Sequence, residues 1–435
     1  MAFQNVLITA EVGTPFSGVG RILSRRNSGK ISFWTLRFKE DNVQLVLAKE
    51  HLANYTELLK VPIGSLIHVT AVKCVTNNGT HSLQALGISI LHRYEGMWPD
   101  RYHKLAQDTR YEQRIMDLLV TPGSIEMVRG MSIATKVIRE TLHECGFHEC
   151  NTGVLQNRFE AGAAKPFVTT SNATCKKMYL SLTSELKLKR LVAGGLERVY
   201  EIAQSFRNEG VDRMHAPEFT LLEAYGVQHT CEDMMKLVQT MFIRIFERLT
   251  DDRNATGIPV IQEPYSVVEP FEVITFDRAF KKYVGEIPCT LESMVTHDPT
   301  GFNQDMGTFT WLMKVIEKFI VPRVVNPTFL TSLPADMSPL TKRADDGTTE
   351  RAFFLVNGLF VADIYTDEND ETKVREALKR QAETQNTEVN TDFIEVLALG
   401  IPPTAGLGMG LNRLFMAFTG NLPRHIKETT PFSPF

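Results

Sequence analysis

The chain has 435 residues, enough for two or three domains, with the 43% apolar and 23% charged content of an ordinary globular protein. A formal net charge of -4 and a pI near 6.3 give no global basic footprint, so any nucleic-acid contact must come from a local patch. Six cysteines (Cys74, Cys145, Cys150, Cys175, Cys231 and Cys289) lie without a C-x-x-C pair. That argues against a zinc site and a disulfide framework and fits a reducing compartment. No apolar run reaches membrane-spanning length. The start, MAFQNVLITAEV, lacks the basic n-region of a secretory signal and the Arg/Ser-rich pattern of a transit peptide. An intracellular protein is expected, of the cytoplasm or, if a presequence has been removed, of the mitochondrial matrix.

From about 15 to 93 the chain carries short β-type runs separated by turns. Gly18–Leu23, Ile31–Phe38, Asn42–Leu47, Leu66–Val72 and Ser82–Leu86 are the runs, with turns at Ser28-Gly29 and Asn78-Gly79. Several such strands in so short a span predict a small closed barrel of the oligonucleotide-binding type. The run G-R-I-L-S-R-R-N-S-G-K-I-S-F-W-T-L-R, followed by Q-L-V-L, resembles the anticodon-binding barrel of the lysyl, aspartyl and asparaginyl tRNA synthetases. The resemblance implies that Phe33 stacks on a base while Arg26 and Gln44 hydrogen-bond it. An aromatic platform beside a guanidinium is how single-stranded bases are held. The other reading of Phe33 is a core side chain. The lysine-type barrel has a Glu after the later turn glycine, where this chain has Gly79-Thr80.

Residues 94–112 are polar, contain a proline and keep no period, as a linker would. A helix is predicted from Met127 to Cys145, with Ile133, Val137, Ile138 and Leu142 on one stripe. Asp117-Leu118-Leu119, this helix and Gly146-Phe147-His148-Glu149 resemble motif 1 of class II aminoacyl-tRNA synthetases, which builds their dimer interface. Gly153 stands in the slot of the motif's closing proline. A homodimer is the expectation from this motif.

Gly162–Phe167 and Tyr179–Leu186 match segments that wall the family's amino-acid pocket. Glu185 corresponds to the glutamate that holds the substrate α-ammonium; it also suits a helix N-terminus, where the dipole favours an acid. Next, Val199–Ile202 and Phe219–Tyr225 read as two strands around a polar loop, Arg207–His215. An antiparallel pair can hold Arg207 rigidly at its lip, and a guanidinium fork suits phosphate or carboxylate. F-R-N-E-G-x-D-x-x-H-x-P-E-F-T is similar to motif 2, in its lysyl form. The resemblance assigns Arg207 to the α-phosphate and substrate carboxylate, Glu209 and His215 to the nucleotide, and Phe219 to adenine. Glu223 and Tyr225 would line the pocket of the lysine ε-ammonium. Ala216 replaces the family's asparagine. Beyond it an amphipathic helix is predicted over Cys231–Leu249 and another over Phe309–Ile320, in the stretch that says least about function.

TERAFFLVNGLFVADIYTDEND, from Thr349 to Asp370, aligns without a gap with the family form T-E-R-F-E-L-F-V-N-G-x-E-x-x-N-x-Y-x-E-L-N-D. Phe353 and Phe360 then stand where the family has two metal-binding glutamates, expected on alternate faces of a hairpin. Asp363 takes the place of the asparagine that meets the substrate carboxylate, and Asp367 that of the glutamate for the ε-ammonium. Two carboxylates can grip Mg²⁺ between ATP phosphates; phenylalanine cannot. Motif 3 persists as Gly406–Arg413, where Arg413 would reach the γ-phosphate and Asn412 replaces an acid.

The resemblance covers nearly the whole chain. It implies an α+β fold: an OB-fold barrel over 1–93, a linker over 94–112 and a class II antiparallel-sheet catalytic domain over 113–435. ATP is a possible ligand, Mg²⁺ is not expected at the usual site, and RNA of the tRNA kind is the expected partner, alone or within a multi-protein assembly. Three functions compete: an ATP-dependent lysine–tRNA ligase, a non-catalytic paralogue that binds RNA, and a ligase acting on another acceptor. Phe353, Phe360, Asp363 and Ala216 favour the second.

Overall fold

In a computed structural model, residues 3–38, 41–96, 98–99, 107–121, 123–158, 164–256, 266–337, 340–385, 391–419 and 425–433 are described. The chain divides into two compact units, Met1–Met127 with Asp251–Ile258, and Val128–Thr250 with Pro259–Phe435.

Five strands of the first unit close into a barrel in the order β1-β2-β3-β5-β4: β1 (Pro15–Ser28), β2 (Ile31–Phe38), β3 (Asp41–Ala48), β4 (Leu66–Val75) and β5 (His81–His92). The long β1 pairs with β4 through its first half and with β2 through its second, which is how one strand serves two neighbours. Along β2 the inward residues Ser32, Trp34, Leu36 and Phe38 alternate with outward ones, as a half-buried strand requires. Trp34, Leu36 and Phe38 meet Leu45, Ile67, Val69 and Leu83 inside. This is the OB-type barrel expected from the sequence. Most of the expected linker's middle, Asp100–Ala106, lies outside the described residues; its end is the short helix Gln107–Glu112.

The second unit is built on an eight-stranded, mainly antiparallel sheet. Its strands are β6 (His148–Glu149), β10 (Arg198–Phe206), β11 (Glu218–Val227), β12 (Glu272–Thr275), β13 (Thr328–Pro334), β14 (Thr348–Val356), β15 (Leu359–Thr366) and β16 (Thr404–Gly410). They run in the order β12-β13-β14-β15-β16-β11-β10-β6, and only the β6–β10 and β12–β13 pairs are parallel. A small sheet of β7 (Leu155–Gln156), β8 (Val168–Thr170) and β9 (Lys177–Leu180) stands beside it. The predicted helix at Met127–Cys145 spans Ser124–Glu144, with Val137, Ile138 and Leu142 buried and Ile133 half-buried. The helix predicted over Cys231–Leu249 runs on to Thr256.

Neighbouring residues of β14 face opposite layers. The Phe354 ring packs on Phe242 and Phe271, with centroids 5.3 and 5.9 Å away. Phe353 turns the other way, into a core made by the helices Phe276–Tyr283, Leu291–His297 and Thr308–Val315 and by Ile316 and Ile320. The helix expected over Phe309–Ile320 is α-helical to Val315 and widens into a π turn over Ile316–Ile320. The stretch least legible in the sequence thus forms one wall of the sheet's core.

Candidate active site

The β10–β11 ladder runs in unbroken register from Arg198↔Gly226 to Phe206↔Glu218. Arg207 follows directly, and its amide donates to the Pro217 carbonyl at 2.8 Å, fixing the mouth of the loop. Its guanidinium lies 5.1 Å from the Phe219 ring centroid, and its buried Nε has no hydrogen-bond partner. Arg413, on the helix Leu411–Phe418, donates from Nε to the Met214 carbonyl (3.2 Å) and from Nη1 to that of Phe360 (3.4 Å). Burial lowers the pKa of both guanidinium groups, and Arg207 lowers that of Arg413 further. The Glu209 carboxylate acts on Arg207 only at a distance. Both arginines line one cleft of about 310 Å³ together with Glu209, His215, Phe219 and Phe360. Two cations that repel each other in a half-dry cleft favour an anion between them.

The motif 2 loop is ordered by its own acids. Asp212 accepts from the amides of Met214 (2.7 Å) and His215 (2.8 Å) and pairs with the His215 ring (2.9 Å). Burial opposes the charge on Asp212, but these hydrogen bonds hold its carboxyl below the usual range. Glu209 accepts from the Lys165 amide at 3.2 Å, which ties the loop to the segment before β8. Gly162 and Ala163 of that segment lie outside the described residues.

Of the residues expected to receive an amino acid, Glu185, Glu223 and Asp363 line the same cleft, whereas Tyr225 is buried outside its lining and Asp367 lines a small separate pocket with Lys189; the acids among them are already paired. Glu185 opens the helix Glu185–Ala193, and one turn on Lys189 reaches back to it at 2.7 Å. The same ammonium meets Asp367 at 2.6 Å and stands 5.2 Å from the ring centroids of Tyr225 and Tyr365. Tyr365 also donates to Glu185 (2.7 Å). Glu223 accepts from Thr183 (2.7 Å) and from Tyr225 (2.7 Å). Burial, then the charge of Glu185, pushes the Glu223 carboxyl up to about 8, so it is protonated at neutral pH. Asp367 is raised to about 6 by burial, against the pull of Lys189. The motif 3 glycines serve this pocket. Gly408 faces Glu223 across the β11–β16 ladder, and a Cβ there would lie 3.2 Å from its carboxylate oxygen.

Asp363, in the place of the asparagine that meets a substrate carboxylate, does not stand as a free acid. Instead its carboxylate is gripped by both arms of Arg351, Nε–Oδ1 at 2.8 Å and Nη2–Oδ2 at 2.6 Å. The fork-to-fork pair neutralises it. The expectation of Phe353 and Phe360 on alternate faces also needs correction. The β14–β15 ladder steps from Phe354↔Ala362 to Leu355↔Phe360, so a bulge at Val361 turns Phe360 to the face of Phe353. The two rings lie 4.6 Å apart, Phe353 fully buried and Phe360 half-buried at the cleft. No oxygen ligand stands at either position, and among the described residues no group of three His, Cys, Asp or Glu is placed to hold a metal. The residues present do not fit Mg²⁺ at this place.

Asn412 hydrogen-bonds in both senses. Its Oδ1 accepts from the Thr220 amide (2.8 Å) and its Nδ2 donates to Thr429 (2.8 Å), which a carboxylate could not do. Lys189, Arg351 and Tyr365 were not singled out from sequence, and Thr183 only as part of the Tyr179–Leu186 segment. The one local signal was the i, i+4 spacing of Glu185 and Lys189 on a helix.

Within the barrel, Phe33 is half-buried on the outer face of β2, not in the core. Arg26 pairs opposite it and lies 5.0 Å from its ring centroid. Gln44, opposite the outward Thr35, donates to Ser82 at 3.0 Å. The three residues share one outer face.

The profile of "tRNA synthetases class II (D, K and N)" matches residues 106–434. The chain is 31% identical to the "Lysine--tRNA ligase" of Wolinella succinogenes, over 95% of this chain and 84% of that one. It is 33% identical to that of Enterococcus faecalis (94% and 85%) and 32% to that of Pectobacterium carotovorum (94% and 85%). A match of this length, at this identity over both units, makes the chain a member of the class II tRNA synthetases (D, K and N), as a divergent relative of lysine–tRNA ligases.

Proposed function

We propose that this chain is a catalytically impaired lysyl-tRNA-synthetase-like protein that retains RNA binding through its barrel and nucleotide binding through its cleft. The observation that carries the reading is the Phe353–Phe360 pair, two touching rings where the family resemblance sets metal-binding carboxylates. Adenylate formation develops charge on a leaving pyrophosphate, and two arginines alone cannot supply the bridge that aligns it for in-line attack. Arg207 and Arg413 would hold the nucleotide, with Phe219, Glu209 and His215 around it. Arg26, Phe33 and Gln44 would grip a single-stranded base, tRNA being the first candidate. A homodimer built on the motif 1 helix, in the cytoplasm or mitochondrial matrix and open to a larger assembly, completes the proposal. The test is pyrophosphate exchange with each amino acid: a background rate with lysine supports impairment, and robust Mg²⁺-dependent exchange sinks it.

A second reading, a working lysine–tRNA ligase with an unusual site, draws on the names of the relatives and on the two arginines. It requires the same assay to give a lysine-specific rate.

A further inference from the structure

We propose that the cleft is a metal-independent receptor for a nucleotide with a single phosphate, a nucleoside 5′-monophosphate, and not for a metal–triphosphate. The inference rests on the impaired reading above and names the ligand class of that same site. Arg207 and Arg413 line one end of the cleft, and among the described residues neither forms an ion pair. A phosphate monoester carries about two negative charges near neutral pH, which two guanidinium groups match without a metal. Phe219 lies beside Arg207 and gives a flat base an aromatic face. Past Arg413 the cleft meets aromatic rings. Its Nη1 rests on the Phe360 carbonyl, the Phe360 ring touches Phe353, and Phe353 belongs to the core of the 276–324 helices. A second and third phosphate would set further charge against those rings, where Arg351, the cation 4.8 Å from the Phe353 ring centroid, is already paired with Asp363.

The opposite end adds no demand for a charged partner. Lys189 is shared by Glu185 and Asp367, and Arg351 closes on Asp363. Glu185 and Asp367 are satisfied by the chain's own cation and Glu223 by two hydroxyls, whereas among the described residues Arg207 and Arg413 pair with no acid. That asymmetry selects a compact anion attached to an aromatic base.

Calorimetric titration of the full chain with AMP and ATP, each in Mg²⁺ and in EDTA, tests the proposal. AMP is expected to bind with a dissociation constant that differs by less than about threefold between the two conditions, and ATP to bind no tighter than AMP. Phe360→Glu is expected to weaken AMP at least tenfold by setting a carboxylate beside Arg413. If Phe360→Glu does not fold, the metal and ATP arms on the parent chain decide alone. ATP binding that tightens about tenfold or more on adding Mg²⁺, or no AMP binding, overturns the proposal. Pyrophosphate exchange is read separately, so loss of the monophosphate preference and recovery of catalysis are distinguishable.

Discussion

Gly406 faces Tyr225 across the β11–β16 ladder so closely that a Cβ on the glycine would lie 2.2 Å from the tyrosine ring. The Tyr225 ring is fully buried there, with its hydroxyl on Glu223. Gly406→Ala forces the ring off its position, and overpacking of this kind costs about 1–3 kcal/mol. Chemical denaturation measures the loss. Gly406→Ala combined with Tyr225→Leu should regain part of it; no recovery would place the strain elsewhere.

Stability should respond to pH through Glu223. Its carboxyl is raised to about 8 from an ordinary 4.5, so between those values the folded chain holds a proton that the unfolded chain releases. Protons bound preferentially to the folded state mean that this group lowers stability as pH rises through that window, and the penalty is constant above about 8. Glu223→Gln removes it. The stability of the variant relative to the parent should therefore climb from pH 5 to pH 8, and a difference that stays flat would show that Glu223 is ionised in the folded chain.

Lys189→Met leaves Glu185 and Asp367 facing each other in a buried site without their shared cation. Removing one partner of a buried ion pair costs about 3–5 kcal/mol. Adding Asp367→Asn to Lys189→Met should return part of this, since one uncompensated charge is then gone. Thermal and denaturant melts of both variants decide the point.

On the barrel, Phe33→Ala removes an outward ring and its contact with Arg26, not a core side chain. Single-stranded RNA should bind more weakly by about 1–3 kcal/mol, the worth of one base–aromatic stack, with barrel stability nearly unchanged. Filter binding and a melt report the two quantities. An unchanged affinity for every RNA tested would move the interface off this face.

How much of this was readable in advance follows the range of each interaction. The β10–β11 hairpin and the barrel were legible because alternation and turn residues are local signals; Phe33, read as either a core or a base-stacking residue, needed the strand's facing to be placed on the outer side of β2. Arg207 and Arg413 came from motifs, and the fold brought them into one cleft. The Arg351–Asp363 pair was not legible: it needs the β14–β15 register, which no window of sequence contains. The same bulge at Val361 turned Phe360 to the face of Phe353, where strict alternation would not have put it. Lys189 escaped because its second acid, Asp367, lies in a distant part of the chain. The helices between 276 and 324 gave little local pattern, although they supply the core that receives Phe353.

That last feature works like a ratchet. Phe353 is fully buried among the side chains of a helical layer, with Phe360 packed against it. A Phe353→Glu change would bury an unpaired carboxylate there and destabilise the chain by several kcal/mol before any ion arrived to offset it. A glutamate at this one position is thus opposed by folding, whatever it would do for chemistry, unless the helical layer changes with it.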